Sequence, residues 1–180
     1  MDNAVLKKAE IFGGMDDLQV NRLTGIAQLR RLRPEECLFL LGDRAEQIYV
    51  VLSGKVELTF PLSFGGAMRE VCVESKLAGS ALGWSALVKP YRFTLSARVG
   101  DWCDVAAFSR QDLLQVFEAN PRTGYLFTKN VSELIGRRLL HVQALWAREV
   151  QRAITTSLQV PHQPGAGGHG SDDKENRHGI

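Results

Sequence analysis

The sequence predicts a mainly β protein: a closed, jelly-roll-like β-roll, also called a double-stranded β-helix, flanked by helices. Between Cys37 and Phe108, six short apolar runs are separated by turns that contain glycine or polar residues. Strands this short and this frequent are typical of rolls and barrels. Apolar residues at helical spacing stand on both sides of this region. Within it, Gly83 precedes the segment WSAL, which predicts a short helix between two β segments.

The first predicted element is an amphipathic helix over residues 15–29. Four leucine or isoleucine side chains lie near helical spacing in this segment, and Asp16 and Asp17 stand at its start. Carboxylates at this position interact favourably with the helix dipole. We therefore expect a helix that packs on the β region that follows.

The β region is predicted from its apolar runs and its turns. The predicted strands are Cys37–Leu41, Ile48–Leu52, Val56–Phe60, Glu70–Val73, Phe93–Val99 and Cys103–Phe108. In the fifth of these, strict alternation predicts one apolar face (Phe93, Leu95, Ala97, Val99) and one polar face (Arg92, Thr94, Ser96, Arg98).

After the strands the pattern becomes helical. Ser109 followed by Asp112 predicts a capped helix that Asn120-Pro121 ends. A longer helix is predicted from about Arg122 to Thr156, with one apolar stripe: Val131, Ile135, Leu139, Val142, Trp146, Val150 and Ile154. On another face of this helix, Glu133 and Arg137 have the spacing of an ion pair.

The composition fits one globular domain with a tail. The chain has 180 residues, of which 44% are hydrophobic and 23% charged, and its net charge is +2, which is too weak to indicate a nucleic-acid groove or an anionic membrane surface. We predict one domain over residues 1–157 and a disordered tail over residues 158–180, because the Gly-, Pro- and His-rich tail has too little apolar surface to offset its ordering.

Several features indicate a cytoplasmic protein without a membrane span. No apolar run approaches the roughly 20 residues that a span needs, and the N-terminus has no signal-peptide pattern. The three cysteines, Cys37, Cys72 and Cys103, are far apart and form no CxxC pair. We expect them to be reduced, semi-buried residues in strands.

Several motifs resemble the cyclic nucleotide-binding domain, the sensor module of the catabolite activator family and of protein kinase A regulatory subunits. The segment GDRAEQIYVVLSGKVEL is similar to the family core G-D-x5-Y-x4-G-x-V, and Arg33-Pro34-Glu35-Glu36 is similar to the approach Pro-Gly-Glu, with Glu35 where glycine is common. Residues 83–87, followed by Thr94-Leu95-Ser96-Ala97, resemble the phosphate-binding cassette of the family. The resemblance extends from Ile11 to about Leu140.

This resemblance implies a ligand site in the cassette. The candidate ligand-binding residues are Gly83, Trp84, Ser85, Ala86, Leu87, Arg92, Thr94, Ser96 and Ala97. The amides of residues 85–87 at a helix start are expected to be free to bind an anion, with hydroxyls from Thr94 and Ser96 and charge from Arg92.

Two side chains that the family uses are absent. In the family a glutamate after the cassette glycine accepts the ribose hydroxyl, and an arginine before the Ser/Thr-Ala pair binds the phosphate. These positions hold Trp84 and Leu95 here. Trp84 either contacts a ligand ring or plugs the pocket, and Arg92 is either a ligand contact or a solvated charge at the rim.

Other function classes fit less well. A cupin-type metal centre needs clustered histidines, and the first histidine is His141, after the β region. No catalytic motif, cofactor or metal site is identified, so we expect no enzyme. A helix-turn-helix module would need more chain after the long helix, so we expect no direct DNA binding.

Two functions remain. The first is a cytoplasmic signalling module that binds a cyclic-nucleotide-like or other small anionic ligand and relays occupancy through the long helix. The second is a ligand-free module for dimerisation or protein docking. In both, the apolar stripe of the long helix predicts a homodimer or a partner-protein surface, unless the stripe packs on the roll itself.

Overall fold

A computed structural model describes residues 3–158 of the chain, with the side chains of residues 4–156. The chain divides into two compact units, Met1–Arg137 and Arg138–Ile180. The β-roll lies in the first unit. The described part of the second unit is a stretch of helix from Arg138 to Leu158. The predicted disordered tail lies outside the described residues, except for residue 158, and the domain limit there stays a prediction.

Residues 3–158 form four α-helices, two short 3₁₀ turns and eight strands. The helices are α1 (Asn3–Lys7), α2 (Asp17–Gly25), α3 (Arg110–Ala119) and α4 (Pro121–Leu158), and the 3₁₀ turns are Glu10–Phe12 and Trp84–Ala86. The strands are β1 (Gln28–Leu32), β2 (Cys37–Phe39), β3 (Gln47–Ser53), β4 (Lys55–Phe64), β5 (Ala67–Leu77), β6 (Ala81–Leu82), β7 (Ser96–Val99) and β8 (Cys103–Ser109).

The strands form two antiparallel four-stranded sheets. Their orders are β1-β8-β3-β6 and β2-β7-β4-β5. Because each sheet combines strands from distant parts of the chain, neither is a simple meander, and the arrangement confirms the predicted jelly-roll-like β-roll. Strand β6 lies at the edge of the first sheet, next to β3, with Tyr49 opposite Leu82.

The core of the first unit joins the roll to the flanking helical segments. Phe108 of β8 and Phe127 of α4 are fully buried. Phe12, in the first 3₁₀ turn, packs on both, with ring-centroid distances of 6.0 Å to Phe108 and 6.4 Å to Phe127. The N-terminal segment and the first part of α4 are therefore fixed on the roll by apolar packing.

The first predicted helix is shorter than expected. Helix α2 begins after Asp16, whose side chain accepts a hydrogen bond from the Gln19 amide in a capping box, and it ends at Gly25. Leu29 belongs to β1, where it lies opposite Ala106 of β8 and is 49% exposed. Pairing with β8 therefore outweighs the weak helical spacing of residues 26–29.

Four predicted strands also have different limits. Strand β2 ends at Phe39 and not at Leu41, and the predicted strand Val56–Phe60 is part of the longer β4. The predicted strand Phe93–Val99 begins only at Ser96, because residues 94 and 95 form a bend. Glu70–Val73 is the centre of the longer strand β5, which pairs with β4 along its whole length. Strands β1 and β6 were not predicted, since neither has a clear apolar alternation.

The remaining helical predictions are confirmed. The Ser109 hydroxyl accepts hydrogen bonds from the amides of Gln111 and Asp112 and so caps α3. Helix α4 extends from Pro121 to Leu158, within two residues of the predicted limits. Among residues 3–158, no helix is both long and apolar enough to cross a membrane.

Candidate functional site

The centre of the candidate site is the turn that leads from β6 into the 3₁₀ turn Trp84–Ala86. Gly83 has the left-handed conformation, with φ 82° and ψ 19°. A Cβ atom at this position would lie 2.8 Å from the Gln47 carbonyl oxygen and 3.2 Å from a ring carbon of Tyr49. Both the conformation and the close approach therefore require glycine. The predicted short helix on a glycine hinge is present.

The backbone amides of this turn are only partly available. The amide of Ala86 donates to the Gly83 carbonyl at 3.0 Å, and that of Leu87 donates to the Trp84 carbonyl at 2.9 Å. The expectation that both amides are free is therefore wrong, because the tight turn satisfies them locally. In the described part of the chain, the amides of Trp84 and Ser85 and the Ser85 hydroxyl make no hydrogen bond.

The two positions that resemble the family's clamp residues hold apolar side chains. Trp84 and Leu95 are both partly buried and pack against the core. Neither side chain provides an acceptor for a sugar hydroxyl or a cation for a phosphate. The neighbouring Ser85 and Ala86 are buried. All three residues of the turn therefore pack against the core, and Trp84 is the most exposed of them.

The remaining candidate residues divide into an exposed and a buried group. Arg92 and Thr94 are exposed, and the Arg92 guanidinium donates to the Gly42 carbonyl at 2.8 Å. Ser96 and Ala97 are buried, and the Ser96 hydroxyl accepts from the Leu41 amide at 3.0 Å. Within β7, Ser96 and Arg98 lie on the same side of the strand, as predicted. Arg98 is exposed there, whereas Ser96 is covered by the segment that contains Leu41.

An aromatic cluster that sequence reasoning missed lies beside the glycine. Phe39 and Phe93 are stacked at 3.7 Å between ring centroids, and Tyr49 stacks on Phe39 at 5.8 Å. All three rings are buried, and atoms of Tyr49 and Phe93 line the space beside Gly83. The pairing could not be predicted, because the three rings come from separate segments of the chain.

The electrostatics of the cluster are set by burial. Burial raises the pKa of the Tyr49 phenol, and the nearby Arg30 guanidinium opposes this shift. The Tyr49 hydroxyl donates to the Gln47 side-chain oxygen at 3.0 Å. Tyr49 is therefore a neutral, hydrogen-bonded ring at neutral pH, and it adds no charge to the site.

A cavity of about 420 Å³ opens next to the cluster. Its lining includes Phe39, Tyr49 and Phe93, together with the charged side chains of Asp43, Arg44 and Glu46. None of the candidate residues of the cassette lines this cavity. This cavity therefore lies beside the cassette and not over its amides.

The three cysteines lie in three environments: Cys37 is partly buried, Cys72 is exposed and Cys103 is fully buried. Cys37, Cys72 and Cys103 are all unpaired thiols on strands. Cys72 is exposed, where a semi-buried residue was expected, because β5 is exposed along most of its length. Among residues 3–158, no group of histidine, cysteine or acidic side chains could hold a metal ion.

Comparisons with known proteins agree on one family. Residues 29–120 match the sequence profile of the cyclic nucleotide-binding domain. The chain is 27% identical over 158 residues to the cyclic AMP receptor protein of Thermus thermophilus, covering 85% of this chain and 69% of that protein.

Solved structures show the same fold. The catabolite activator protein of Thermus thermophilus superposes with a TM-score of 0.65 at 24% identity, over 79% of this chain and 63% of that one. The c-di-GMP-responsive global regulator CLP of Xanthomonas campestris superposes with a TM-score of 0.66 at 21% identity, over 86% of this chain and 76% of that one.

Proposed function

The chain belongs to the cyclic nucleotide-binding domain family, and from this we propose that it is a non-catalytic signalling module that binds a cyclic nucleotide or a similar small anionic ligand at residues 83–97. In this proposal it works in the cytoplasm, does not bind DNA directly, and relays occupancy through α4. The single observation that supports the site best is the left-handed turn at Gly83, which leaves the amides of Trp84 and Ser85 without partners.

The ligand would be held by donors. Two backbone amides and the Ser85 hydroxyl form one set, and the exposed Thr94 hydroxyl and Arg92 guanidinium form another. Such donors suit the oxygens of a phosphate. Arg92 would exchange its bond to the Gly42 carbonyl for a stronger, charge-assisted bond to the anion.

The substitutions at the clamp positions predict weak binding of cyclic AMP. Each charge-assisted contact contributes about 1.5–3 kcal/mol. With Trp84 and Leu95 where the family has its acidic and basic clamps, the loss corresponds to a dissociation constant higher by a factor of about 10² or more.

A thermal-shift panel of cyclic mononucleotides and cyclic dinucleotides tests the proposal. A ligand at 100 times its dissociation constant raises the free energy of unfolding by about 2.7 kcal/mol. We expect at least one member of the panel to stabilise the wild type. The double variant Trp84→Glu, Leu95→Arg should bind cyclic AMP about 10²-fold more tightly than the wild type.

The matched control places the same substitutions at exposed positions. Trp102 and Leu18 are 52% and 60% exposed and lie outside the candidate site. The variant Trp102→Glu, Leu18→Arg should respond like the wild type. No response of either the wild type or the cassette variant to any nucleotide would contradict the proposal.

A second function is favoured by a specific observation. The Phe93 ring, stacked on Phe39, lies beside Gly83, and Trp84 packs on the core. In a ligand-free module these side chains would replace the ligand, and the domain would serve for dimerisation or protein docking. A thermal shift that occurs only in the cassette variant would support this alternative.

We also propose that α4 forms a homodimer or partner-protein surface. In the second unit four of the five stripe residues are exposed, among them Leu139 at 55% and Trp146 at 69%, and Val150 is partly buried. Unpartnered apolar residues at helical spacing favour association with another helix.

A further inference from the structure

Glu10 connects two parts of the first unit that are far apart in sequence. Its side chain accepts a hydrogen bond from the Ala81 amide at 3.0 Å through Oε1. Its other carboxylate oxygen, Oε2, lies 3.1 Å from Nη2 of Arg137. One carboxylate thus contacts both the strand that enters the cassette and helix α4.

The contact with Ala81 satisfies an unpaired amide at a strand edge. Strand β6 is at the edge of its sheet, so its outward amides have no strand partner. The Glu10 amide donates to the Gly79 carbonyl at 3.3 Å, while its carboxylate accepts from Ala81. Glu10 therefore acts as a short substitute strand for the two residues that flank Ser80.

Helix α4 is also hydrogen-bonded to the residues that follow Glu10. The Asn130 side-chain amide donates to the carbonyls of Ile11 at 3.0 Å and Gly13 at 2.9 Å. Asn130 and Arg137 are seven residues apart, so both project from the same face of α4. The segment Glu10–Gly13 is thus bonded to the helix at two points, two turns apart.

We infer that Glu10 is the positioning residue that couples the conformation of the cassette to helix α4. Leu82, the second residue of β6, directly precedes Gly83. A shift of the cassette on ligand binding would move β6, and with it the carboxylate that holds Arg137. The role of the ligand in this inference rests on the proposed function, whereas the coupling itself exists without a ligand.

Arg137 also departs from its local partner. The sequence spacing predicts an ion pair with Glu133, four residues earlier, but Glu133 pairs with Lys129 at 3.6 Å. The Arg137 side chain reaches Glu10, 127 residues away, instead. Arg137 thus pairs with a distant residue although Glu133 lies at the spacing of a local ion pair. A contact between distant segments is what a coupling residue requires.

Amide hydrogen exchange in the full chain, without ligand, tests the coupling. The variant Arg137→Gln removes the charge that holds Glu10 and leaves the β-roll unchanged. We expect the Ala81 amide to exchange about two- to fivefold faster, which is the effect of losing a partly exposed ion pair. The Val51 amide, which donates to the Ser80 carbonyl inside the sheet, should keep its rate.

The control breaks another ion pair of the same helix. Lys129→Gln removes the pair with Glu133 and has no contact with Glu10. The Ala81 rate should stay at the wild-type value in this variant. Equal Ala81 rates in Arg137→Gln, Lys129→Gln and the wild type would overturn the inference.

Substitutions of Glu10 itself distinguish the contribution of its bond to the Ala81 amide from that of its ion pair with Arg137. Glu10→Gln keeps an oxygen that can accept from Ala81 but loses the charge, so its Ala81 rate should match that of Arg137→Gln. Glu10→Ala loses both bonds and should exchange faster still. Glu10→Ala with a wild-type Ala81 rate would also overturn the inference. Since no nucleotide is added, this result is independent of whether the ligand panel succeeds.

Discussion

Glu35 occupies a backbone conformation that glycine adopts most easily. Its φ is +64°, in the left-handed region where a Cβ atom costs about 1–2 kcal/mol. The sequence motif already indicates this position, because glycine is common there in the family that the motif resembles. The sequence therefore indicates that this position is unusual, whereas the strain of Glu35 can be recognised only from its backbone φ angle.

Replacement of Glu35 by glycine should stabilise the protein. We expect Glu35→Gly to raise the free energy of unfolding by up to about 1 kcal/mol, since relief of the strain exceeds the extra entropy of glycine in the unfolded chain. The exposed pair with Arg98 at 3.7 Å contributes little. Urea unfolding measures the change.

The adjacent glutamate is the matched control. The Glu36 carboxylate accepts a hydrogen bond from the Arg33 amide at 2.9 Å. Glu36→Gly should therefore lower the free energy of unfolding by about 1 kcal/mol. Destabilisation by both substitutions would contradict the assignment of strain to Glu35.

Cys103 should be much less reactive than the exposed Cys72. Burial, and secondarily the neighbouring Asp104 carboxylate, raise the pKa of the Cys103 thiol from 9.0 to about 11. Only the thiolate reacts with iodoacetamide, so at pH 8 the two-unit shift slows labelling about 100-fold. Mass spectrometry of the labelled native protein should find Cys72 modified first.

Because of the same pKa shift, the free energy of unfolding should fall as the pH becomes alkaline. The pKa of Cys103 is higher in the folded than in the unfolded state, so the folded state binds more protons between pH 9 and about 11. The contribution of this thiol to stability is complete below pH 9 and is lost as the pH rises to about 11. Cys103→Ala should weaken the loss of stability with pH. Fast labelling of native Cys103 at pH 8 would contradict this account.

At the scale of elements, the 3₁₀ turn of the cassette depends on the glycine that precedes it. Gly83 and Gly79 both have positive φ, 82° and 87°. A Cβ on Gly83 would meet the Gln47 carbonyl, whereas a Cβ on Gly79 would have nothing within 4 Å. The two glycines therefore separate backbone strain from steric overlap.

The corresponding alanine variants should differ in stability. Gly79→Ala should lower the free energy of unfolding by about 1–2 kcal/mol, which is the strain alone. Gly83→Ala should lower it by about 1–3 kcal/mol more, because the strand and the turn must move apart. Equal effects in chemical unfolding would show that the turn tolerates the added methyl group.

The elements show how far sequence patterns reach. Strands with short apolar runs between turns and helices with clear caps were predicted, as for β3, β8 and α3. Strand β1 was missed because its sequence QLRRL is mostly polar, and β6 because two residues carry no periodicity. The bend at residues 94–95 depends on bonds between the Phe93 region and the Gly42 turn, which no local pattern contains.

The candidate site was predictable only where its residues are contiguous. The segment 83–87 and the pair Ser96-Ala97 were found from their motifs. The stack of Phe39 and Phe93 and the role of Glu10 depend on contacts between residues more than 50 positions apart. Such contacts are set by the packing of the whole roll.

At the scale of the whole molecule, α4 belongs to both units. In the first unit its stripe residue Val131 is 4% exposed and Ile135 is partly buried. In the second unit the stripe continues with mostly exposed side chains, of which Trp146 is the largest. This change from buried to exposed stripe residues supports the proposal that the second unit binds a second copy of the chain or a partner protein.

Trp146→Asp should reduce the molecular mass measured by light scattering from that of a dimer to that of a monomer. A buried charge in an apolar helix interface is unfavourable. The control Thr155→Asp places the same charge on the opposite side of the helix, and it should leave the mass unchanged. A wild-type mass equal to one chain, or an unchanged dimer in Trp146→Asp, would contradict the proposed interface.

The central claim is that the cassette turn still accepts a small anionic ligand. The most direct test is a titration of the ¹⁵N-labelled chain with cyclic AMP, cyclic GMP and cyclic di-GMP, followed by nuclear magnetic resonance. For at least one of them, we predict saturable shifts of the Trp84 and Ser85 amides and of residues 92–97. Shifts confined to Arg44, Glu46 and Ser109, or none in residues 83–97 at millimolar nucleotide, would contradict it.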